Sequence, residues 1–273
     1  MKKILIASGC SFTEKNFMST FHPEMDCTWD KWPELLAQKL DMDCINLGSS
    51  GAGNEYIYNS IVQEFLKTKT NRIGLVMAGW TQAKRFGYRS RRPNLGDLHG
   101  RQNEDFMENI SDYPARDWSL STLHPKIKFA RTYNRYSSLT NKEKMPILEH
   151  VAHRSIGFIF NLQTLCSNYN IPLKHFAMLD FFGHFSEEQT VPIPLLEEKI
   201  ILNSPFLNFI DEKSFIGWPM IEKFGGYWVW DKVMTSEEHG KLVHADTISK
   251  QDLHPNQLGQ QKIADFLYKK IKE

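Results

Sequence analysis

The chain has 273 residues, of which 41% are hydrophobic and 24% are charged. These fractions are close to those of soluble globular proteins, so they exclude a wholly disordered chain. The formal net charge of +1 excludes a strong overall attraction to nucleic acid or acidic lipid. No apolar run approaches the roughly 20 residues of a membrane helix, and the apolar segment after Lys3 is too short for a secretory signal. We therefore expect a cytoplasmic protein that binds neither membrane nor nucleic acid.

Short apolar runs alternate along the chain with stretches of helical periodicity. In chain order, the patterns predict a strand at Ile4–Ala7, a helix at Trp32–Leu40, a strand at Cys44–Leu47, a helix at Glu55–Lys67, a strand at Ile73–Ala78, a helix at Lys144–Tyr169, a strand at Leu173–Leu179 and a helix at Asn256–Lys272. Strands separated by helices imply parallel βαβ crossovers. We therefore predict that residues 1–273 form a single α/β domain, a three-layer α/β/α sandwich with a central parallel sheet.

Two long stretches interrupt this alternation, at about residues 86–141 and 183–251. Structureless loops of this length are uncommon in compact domains and are often functional. We predict that both are insertions that flank the functional site. The second stretch contains a cluster of aromatic residues, Trp218, Tyr227, Trp228 and Trp230. These rings could form a platform for sugar or acyl groups, but aromatic residues more often build the core.

Cysteine and histidine spacing gives no sign of a metal site. Four cysteines occur, at positions 10, 27, 44 and 166, without a Cys-x-x-Cys pair. This usage fits a reducing compartment and suggests neither a zinc ribbon nor a dense disulfide framework. His150 and His153 have a spacing that some metal sites use, but no third ligand accompanies them. The sequence therefore predicts no metal and no cofactor.

The loop after the first predicted strand contains a candidate nucleophile. Ligands of parallel α/β sheets bind at the carboxyl ends of the strands, and Gly9-Cys10-Ser11 lies at such an end. A serine at a strand-to-helix turn exposes its hydroxyl, and its N–H at the helix N-terminus favours negative charge. Ser11 could therefore be both a nucleophile and an oxyanion donor, although such a serine is more often a plain helix cap. Cys10 is a rival nucleophile, because a thiolate is intrinsically stronger.

A candidate base lies just before the last predicted helix, in Asp252-Leu253-His254-Pro255-Asn256. A weak nucleophile such as serine needs an adjacent base, and histidine serves best near neutral pH. A carboxylate can fix the histidine tautomer and stabilise the imidazolium. The alternative is that Asp252 caps a turn and His254 is an ordinary surface residue.

A glycine-rich turn follows the second predicted strand, from Asn46 to Asn54. Its small residues would let backbone N–H groups approach a substrate oxygen and stabilise an oxyanion. The turn does not fit GxxxxGK[ST], and its nearest match to GxGxxG fails at the last position. A nucleotide-binding loop is therefore disfavoured.

Taken together and in this order, the blocks resemble those of the SGNH (GDSL-type) hydrolase family. The resemblance implies that Ser11 is the nucleophile and that Gly51 is the oxyanion-hole glycine. Gly79-Trp80-Thr81 stands where the family has Gly-x-Asn, so Thr81 would supply the third oxyanion contact through its hydroxyl. Asp252 through Pro255 resembles the family's Asp and His block.

Two departures from the family pattern leave alternatives open. An Asn side chain is missing at Thr81, and Asn54 could compensate for it. The family's usual Asp lies three residues before the His, where this chain has Gln251, whereas Asp252 lies two before. We predict a triad of Ser11, His254 and Asp252. If Asp252 pointed away, a backbone carbonyl could hold the imidazole in a Ser-His dyad.

The resemblance implies an esterase for small acyl esters, including acetylated carbohydrate. We predict substrate contacts from Asn54, from Trp80 and, at the mouth of the pocket, from Arg85. Eight basic and no acidic residues lie between Phe65 and Gly96, and we interpret them as a solvated surface rather than a patch for an anionic partner. The alternatives are a non-enzymatic module of the same fold that binds a glycan or protein, and an O-acyltransferase.

Overall fold

The centre of the fold is a five-stranded parallel sheet. The computed structural model describes residues 2–83, 141–181, 203–234 and 245–273. The strands are β1 (Ile4–Ser8), β2 (Asp43–Asn46), β3 (Ile73–Trp80), β4 (Leu173–Ala177) and β5 (Phe215–Ile216). They are hydrogen-bonded in the order β2-β1-β3-β4-β5, and every pair is parallel. This is the flavodoxin-like strand order, in which β2 is added on one side of β1 and the later strands on the other side.

Helices cover both faces of the sheet. They are α1 (Trp32–Lys39), α2 (Asn54–Lys67), α3 (Asn141–Asn168), α4 (Val229–Val233) and α5 (Gln257–Lys272). Because β2 and β3 lie on opposite sides of β1, right-handed crossovers place α1 and α2 on opposite faces. Helix α1 packs against α5, and α2 packs against α3. The predicted three-layer α/β/α sandwich is therefore confirmed.

Strands and helices both contribute to the core beneath the strand ends. All five residues of β1 are buried, as expected for a parallel strand covered on both faces. Apolar side chains of the described segments form one contiguous cluster. Among the same segments, no helix combines the length and apolar character needed to cross a membrane. The cytoplasmic location stays a prediction.

One buried side chain of α5 joins three parts of the fold near the carboxyl end of β1. Gln260 is buried, its Oε1 accepts the Trp32 N–H at 2.8 Å, and its Nε2 donates to the Phe12 carbonyl at 3.0 Å. The amide thereby links the last helix both to α1 and to the loop that carries Ser11. These two hydrogen bonds hold α5 next to the loop that carries Ser11.

The predicted elements are confirmed to within a few residues at their ends, and one strand, β5, and one short helix, α4, were missed. Strand β5 has two residues, too few for a periodic pattern to reveal it. It lies inside the stretch 183–251, so part of that predicted insertion belongs to the sheet. The stretch 86–141 lies outside the described residues, apart from Asn141 at the start of α3.

Candidate active site

Three predicted side chains meet at the carboxyl end of β1. His254 Nε2 lies 2.8 Å from Ser11 Oγ, although the two residues are 243 positions apart. His254 Nδ1 lies 2.5 Å from Asp252 Oδ1. Ser11 is half-buried, whereas 31% of the His254 side chain and 1% of the Asp252 side chain are exposed. The arrangement is that of a hydroxyl, an imidazole and a carboxylate in series.

The buried carboxylate determines the tautomer of His254. An ionised carboxylate only accepts hydrogen bonds, so the contact with Asp252 requires a proton on Nδ1. In the neutral imidazole Nε2 is then unprotonated and accepts the hydrogen bond that the Ser11 hydroxyl donates. His254 is therefore oriented to remove the proton from Ser11.

Hydrogen bonds keep Asp252 ionised despite its burial. Burial by itself raises the pKa of the Asp252 carboxyl, but the hydrogen bonds from Ser19 Oγ and from His254 outweigh it and hold that pKa below its usual range. The His254 backbone N–H also donates to Asp252 Oδ1, at 3.1 Å. The carboxylate is consequently charged at neutral pH and can stabilise an imidazolium.

Two aromatic rings contact the imidazole. The ring centroids of Phe17 and Phe12 lie 4.4 and 5.1 Å from that of His254. Trp230 packs edge-on against Phe12 with centroids 5.3 Å apart, and both side chains are buried. This packing restricts the rotation of His254 and supports its hydrogen bond to Ser11.

Ser11 lies in a turn and not at the start of a helix, which corrects the prediction. The Thr13 N–H donates to the Cys10 carbonyl at 2.8 Å, and the next helix, α1, begins only at Trp32. Tertiary contacts hold this turn, because Thr13 Oγ1 accepts the Trp32 indole N–H at 3.0 Å. A side chain at Gly9 would lie 2.2 Å from Thr13 Oγ1, which explains the glycine. The Ser11 N–H therefore gains no helix dipole.

Cys10, the rival nucleophile, is fully buried. A thiol without solvent access cannot meet a substrate carbonyl unless the turn opens. The hydroxyl of Ser11, in contrast, forms a hydrogen bond with the imidazole. The structure thus favours Ser11 over Cys10.

The glycine-rich turn after β2 lies beside the Ser11 loop. The Ser49 N–H donates to the Gly9 carbonyl at 3.1 Å. Gly51 has φ +73°, a left-handed conformation that glycine adopts most readily. Glu14 Oε2 accepts hydrogen bonds from both the N–H and the hydroxyl of Ser50. These contacts hold the turn, while the part of Gly51 in an oxyanion hole stays a prediction.

Asn54 and Thr81 form a reciprocal pair at the end of β3. Asn54 Nδ2 donates to the Thr81 carbonyl at 3.0 Å, and Asn54 Oδ1 accepts the Thr81 N–H at 2.9 Å. Both side chains are buried. Asn54 therefore supports the strand end, and the predicted substrate contact of Asn54 does not fit this burial. Thr81 Oγ1 is buried without a partner among the described residues, and an oxyanion contact from it stays a prediction.

We expect Asn54→Ala to lower the free energy of unfolding by about 2–4 kcal/mol, because it leaves the buried N–H and C=O of Thr81 unpaired. Urea denaturation followed by circular dichroism measures this loss. Asn168→Ala is the matched control, since Asn168 is exposed at the end of α3. Equal stability of the two variants would contradict the assignment of Asn54 as a buried support.

Trp80 is a core residue, which corrects the prediction that it contacts substrate. Its side chain is fully buried, and its indole N–H donates to His175 Nδ1 at 3.1 Å. Burial lowers the pKa of His175 to about 3, so this imidazole is neutral and can accept the bond. Strand β3 is covered on both faces, which leaves its last side chain no access to solvent. Arg85 lies outside the described residues.

The aromatic residues of the second predicted insertion pack mainly against the core. Trp230 is 5% exposed, and Trp218, Tyr227 and Trp228 are partly buried against the same cluster. This supports the core interpretation over a binding platform. In the described segments, no group of three or more His, Cys, Asp or Glu side chains could hold a metal ion.

Several residues of the site escaped sequence reasoning. Ser19 donates a hydrogen bond to Asp252, and the ring of Phe17 packs against His254. Both residues lie between β1 and α1, in a segment without a recognisable motif. Ser249 accepts the Asp252 N–H through its hydroxyl at 3.0 Å. Such contacts depend on how distant loops meet, and a single sequence carries no local signal for them.

Comparison with known proteins finds distant structural likenesses. No protein-family model matches the chain, and no curated protein matches it. The lipase Lip_vut3 from a goat rumen metagenome is 10% identical, with a TM-score of 0.45 over 98% of this chain and 97% of that one. A protein from Desulfitobacterium hafniense DCB-2, described as lipolytic and of the G-D-S-L family, is 12% identical, with a TM-score of 0.41 over 98% and 99%. At this distance the likeness says nothing about substrate or activity.

Proposed function

We propose that this protein is a serine esterase that hydrolyses small acyl esters. The observation that carries the proposal is the series of contacts from Ser11 Oγ to His254 Nε2, at 2.8 Å, and from His254 Nδ1 to Asp252, at 2.5 Å. Nucleophile and base lie within hydrogen-bonding distance before any substrate binds. A non-enzymatic module would not need an imidazole oriented in this way.

Acylation begins when Ser11 Oγ bonds to the ester carbonyl carbon and its proton moves to His254 Nε2. The carbonyl π electrons move to the oxygen, and the N–H groups of Ser11 and Gly51 would stabilise the oxyanion. When the tetrahedral intermediate collapses, the carbonyl re-forms and the bond to the alcohol oxygen breaks. That oxygen takes the proton from Nε2, so the products are a free alcohol and acyl-Ser11.

Deacylation repeats the same proton transfers with water. His254 Nε2 removes a proton from a water molecule whose oxygen attacks the acyl carbon. Collapse of the second intermediate breaks the bond to Ser11 Oγ, which recovers its proton from Nε2. The acid is released, and Asp252 stabilises the imidazolium in both halves without being protonated itself.

The substrate class rests on the sequence resemblance to SGNH hydrolases. That resemblance points to short acyl groups, including the acetyl esters of carbohydrates. The same triad would serve an O-acyltransferase if an alcohol replaced water in the second step. Release of acid and of acylated alcohol from p-nitrophenyl acetate, with and without an added alcohol, separates the two reactions.

A fluorophosphonate probe tests the proposal directly. We expect stoichiometric labelling, mapped by peptide mass spectrometry to Ser11, because the probe phosphonylates activated serine hydroxyls. Labelling should disappear in Ser11→Ala, together with hydrolysis of p-nitrophenyl acetate. Cys10→Ala is the matched control and should keep both. An unlabelled, inactive wild-type protein would contradict the proposal and support a binding module.

A further inference from the structure

We propose that Ser19 is a positioning residue whose hydroxyl holds the Asp252 carboxylate in the orientation that His254 needs. The inference rests on the proposed function of Ser11, His254 and Asp252. Ser19 lies between β1 and α1, is 2% exposed, and donates a short hydrogen bond to Asp252 Oδ2. It would form a fourth member of the series, one contact further from the reacting atoms.

The hydrogen bonds around Ser19 define the direction of its O–H group. Ser19 Oγ accepts the backbone N–H of Phe21 at 3.2 Å and that of His22 at 3.0 Å. A serine hydroxyl has two acceptor positions and one proton. Both acceptor positions are used, so the single proton is left for the Asp252 carboxylate. The hydrogen bonds within this turn therefore orient the Ser19 hydroxyl towards the Asp252 carboxylate.

The two oxygens of Asp252 have separate partners. Oδ1 accepts the imidazole Nδ1–H of His254 and the backbone N–H of the same residue. Oδ2 accepts the Ser19 hydroxyl, which is its only donor among the described residues. A buried carboxylate oxygen without a donor is costly, so loss of Ser19 favours rotation or protonation of Asp252. Either change weakens the contact that fixes the His254 tautomer.

A second contact joins the same two segments without touching the carboxylate. Ser249 Oγ accepts the N–H groups of Gln251 and Asp252, at 3.1 and 3.0 Å. Ser249 Oγ also lies 2.8 Å from His22 Nε2. Because both acceptor positions of this hydroxyl are used, it donates its proton to that nitrogen. Ser249 therefore holds the backbone of the Asp252 loop. It provides a control that separates support of the loop from support of the carboxylate.

Among the residues that the structure describes, few other titratable groups lie near the carboxylate. Cys27 shares the segment of Ser19, and burial raises the pKa of its thiol, so it is neutral at pH 7. His22 reaches the Asp252 loop through Ser249. His254 is the imidazole that contacts the carboxylate. A change in the titration of Asp252 after loss of Ser19 is therefore attributable to the missing hydroxyl.

The test compares Ser19→Ala, Ser19→Thr and Ser249→Ala. In Ser19→Ala we expect the pKa of Asp252 to rise, followed by NMR of its carboxyl carbon, which Asp252→Asn identifies. We expect kcat for p-nitrophenyl acetate to fall roughly 10- to 100-fold with KM little changed, as for the loss of one charge-assisted hydrogen bond. Ser19→Thr keeps a hydroxyl and should restore both values. Ser249→Ala should lower stability but leave the pKa of Asp252 at its wild-type value.

Each outcome decides a different point. An unchanged pKa of Asp252 in folded Ser19→Ala would overturn the inference, as would the same rise in Ser249→Ala. If wild-type protein hydrolyses no ester but Ser19→Ala still raises the pKa of Asp252, the proposed function fails while Ser19 keeps its part in holding the carboxylate. Circular dichroism shows whether each variant is folded. If Ser19→Ala does not fold, Ser19→Cys replaces the hydroxyl by a weaker donor, and an unchanged Asp252 pKa there also contradicts the inference.

Discussion

Replacement of His254 by alanine is expected to reduce kcat for ester hydrolysis by about 10⁴- to 10⁶-fold, the range seen when a triad base is removed. Without the imidazole, no side chain of the described segments is hydrogen-bonded to Ser11 Oγ to accept its proton as it attacks. KM should change little, because the imidazole acts on the reacting atoms and not on the rest of the substrate. Initial rates with p-nitrophenyl acetate measure both constants.

His150→Ala is the matched control for this substitution, since His150 is an exposed histidine on α3. It should retain wild-type kcat. Added imidazole should partly restore the His254→Ala variant, because removal of the ring leaves a space beside Phe12 and Phe17. A loss smaller than tenfold in His254→Ala would show that another base serves Ser11, and the proposed mechanism would be wrong.

We expect Asp252→Asn to reduce kcat by roughly 10⁴-fold, as in other triads with this change. The asparagine amide can donate to His254 Nδ1, which then carries no proton. Neutral imidazole would be protonated at Nε2 instead and could not accept the proton of Ser11. The asparagine side chain has nearly the same size and shape as that of aspartate, so the fold should persist. Steady-state kinetics, with circular dichroism for the fold, measures the effect.

Asp265→Asn is the control, because Asp265 is an exposed aspartate of α5 whose ion pair with Lys39 lies at the surface. The wild-type pKa of Asp252 is already lowered by its hydrogen bonds, so the carboxylate stays ionised as the pH falls from 7 to its usual range near 4. Loss of activity in that window is therefore not due to protonation of Asp252. If Asp252→Asn kept most of its activity, a Ser-His dyad would replace the triad.

The departure at Asp252 shows where sequence reasoning was limited. The spacing of two residues before His254 left open whether the carboxylate faces the imidazole. The structure answers it through a tight loop, in which the Ile248 N–H donates to the His254 carbonyl and the Ser249 N–H to the Asp252 carbonyl. This loop turns the Asp252 side chain toward Nδ1. A spacing of two residues between the aspartate and the histidine therefore also allows the carboxylate to contact the imidazole.

Burial was the property that sequence reasoning judged least well. Trp80 is the last residue of β3 and Asn54 follows the glycine-rich turn, both at the correct edge of the sheet, yet both are buried. An aromatic or amide residue near a strand end looks the same in a sequence whether it faces the pocket or the interior. Its direction depends on how the element that carries it packs: Asn54 is the first residue of α2 and lies on the buried face of that helix.

The parallel α/β architecture and the candidates Ser11, His254 and Asp252 could be predicted from local sequence patterns. Strand and helix periodicity are local, and the order of strands then places these loops at one edge of the sheet. The contact of Ser11 Oγ with His254 Nε2, the hydrogen bond from Ser19 to Asp252 and the burial of Trp80 became visible in the folded molecule. Those outcomes depend on contacts between segments far apart in the chain, which side-chain packing and hydrogen-bond directions settle together.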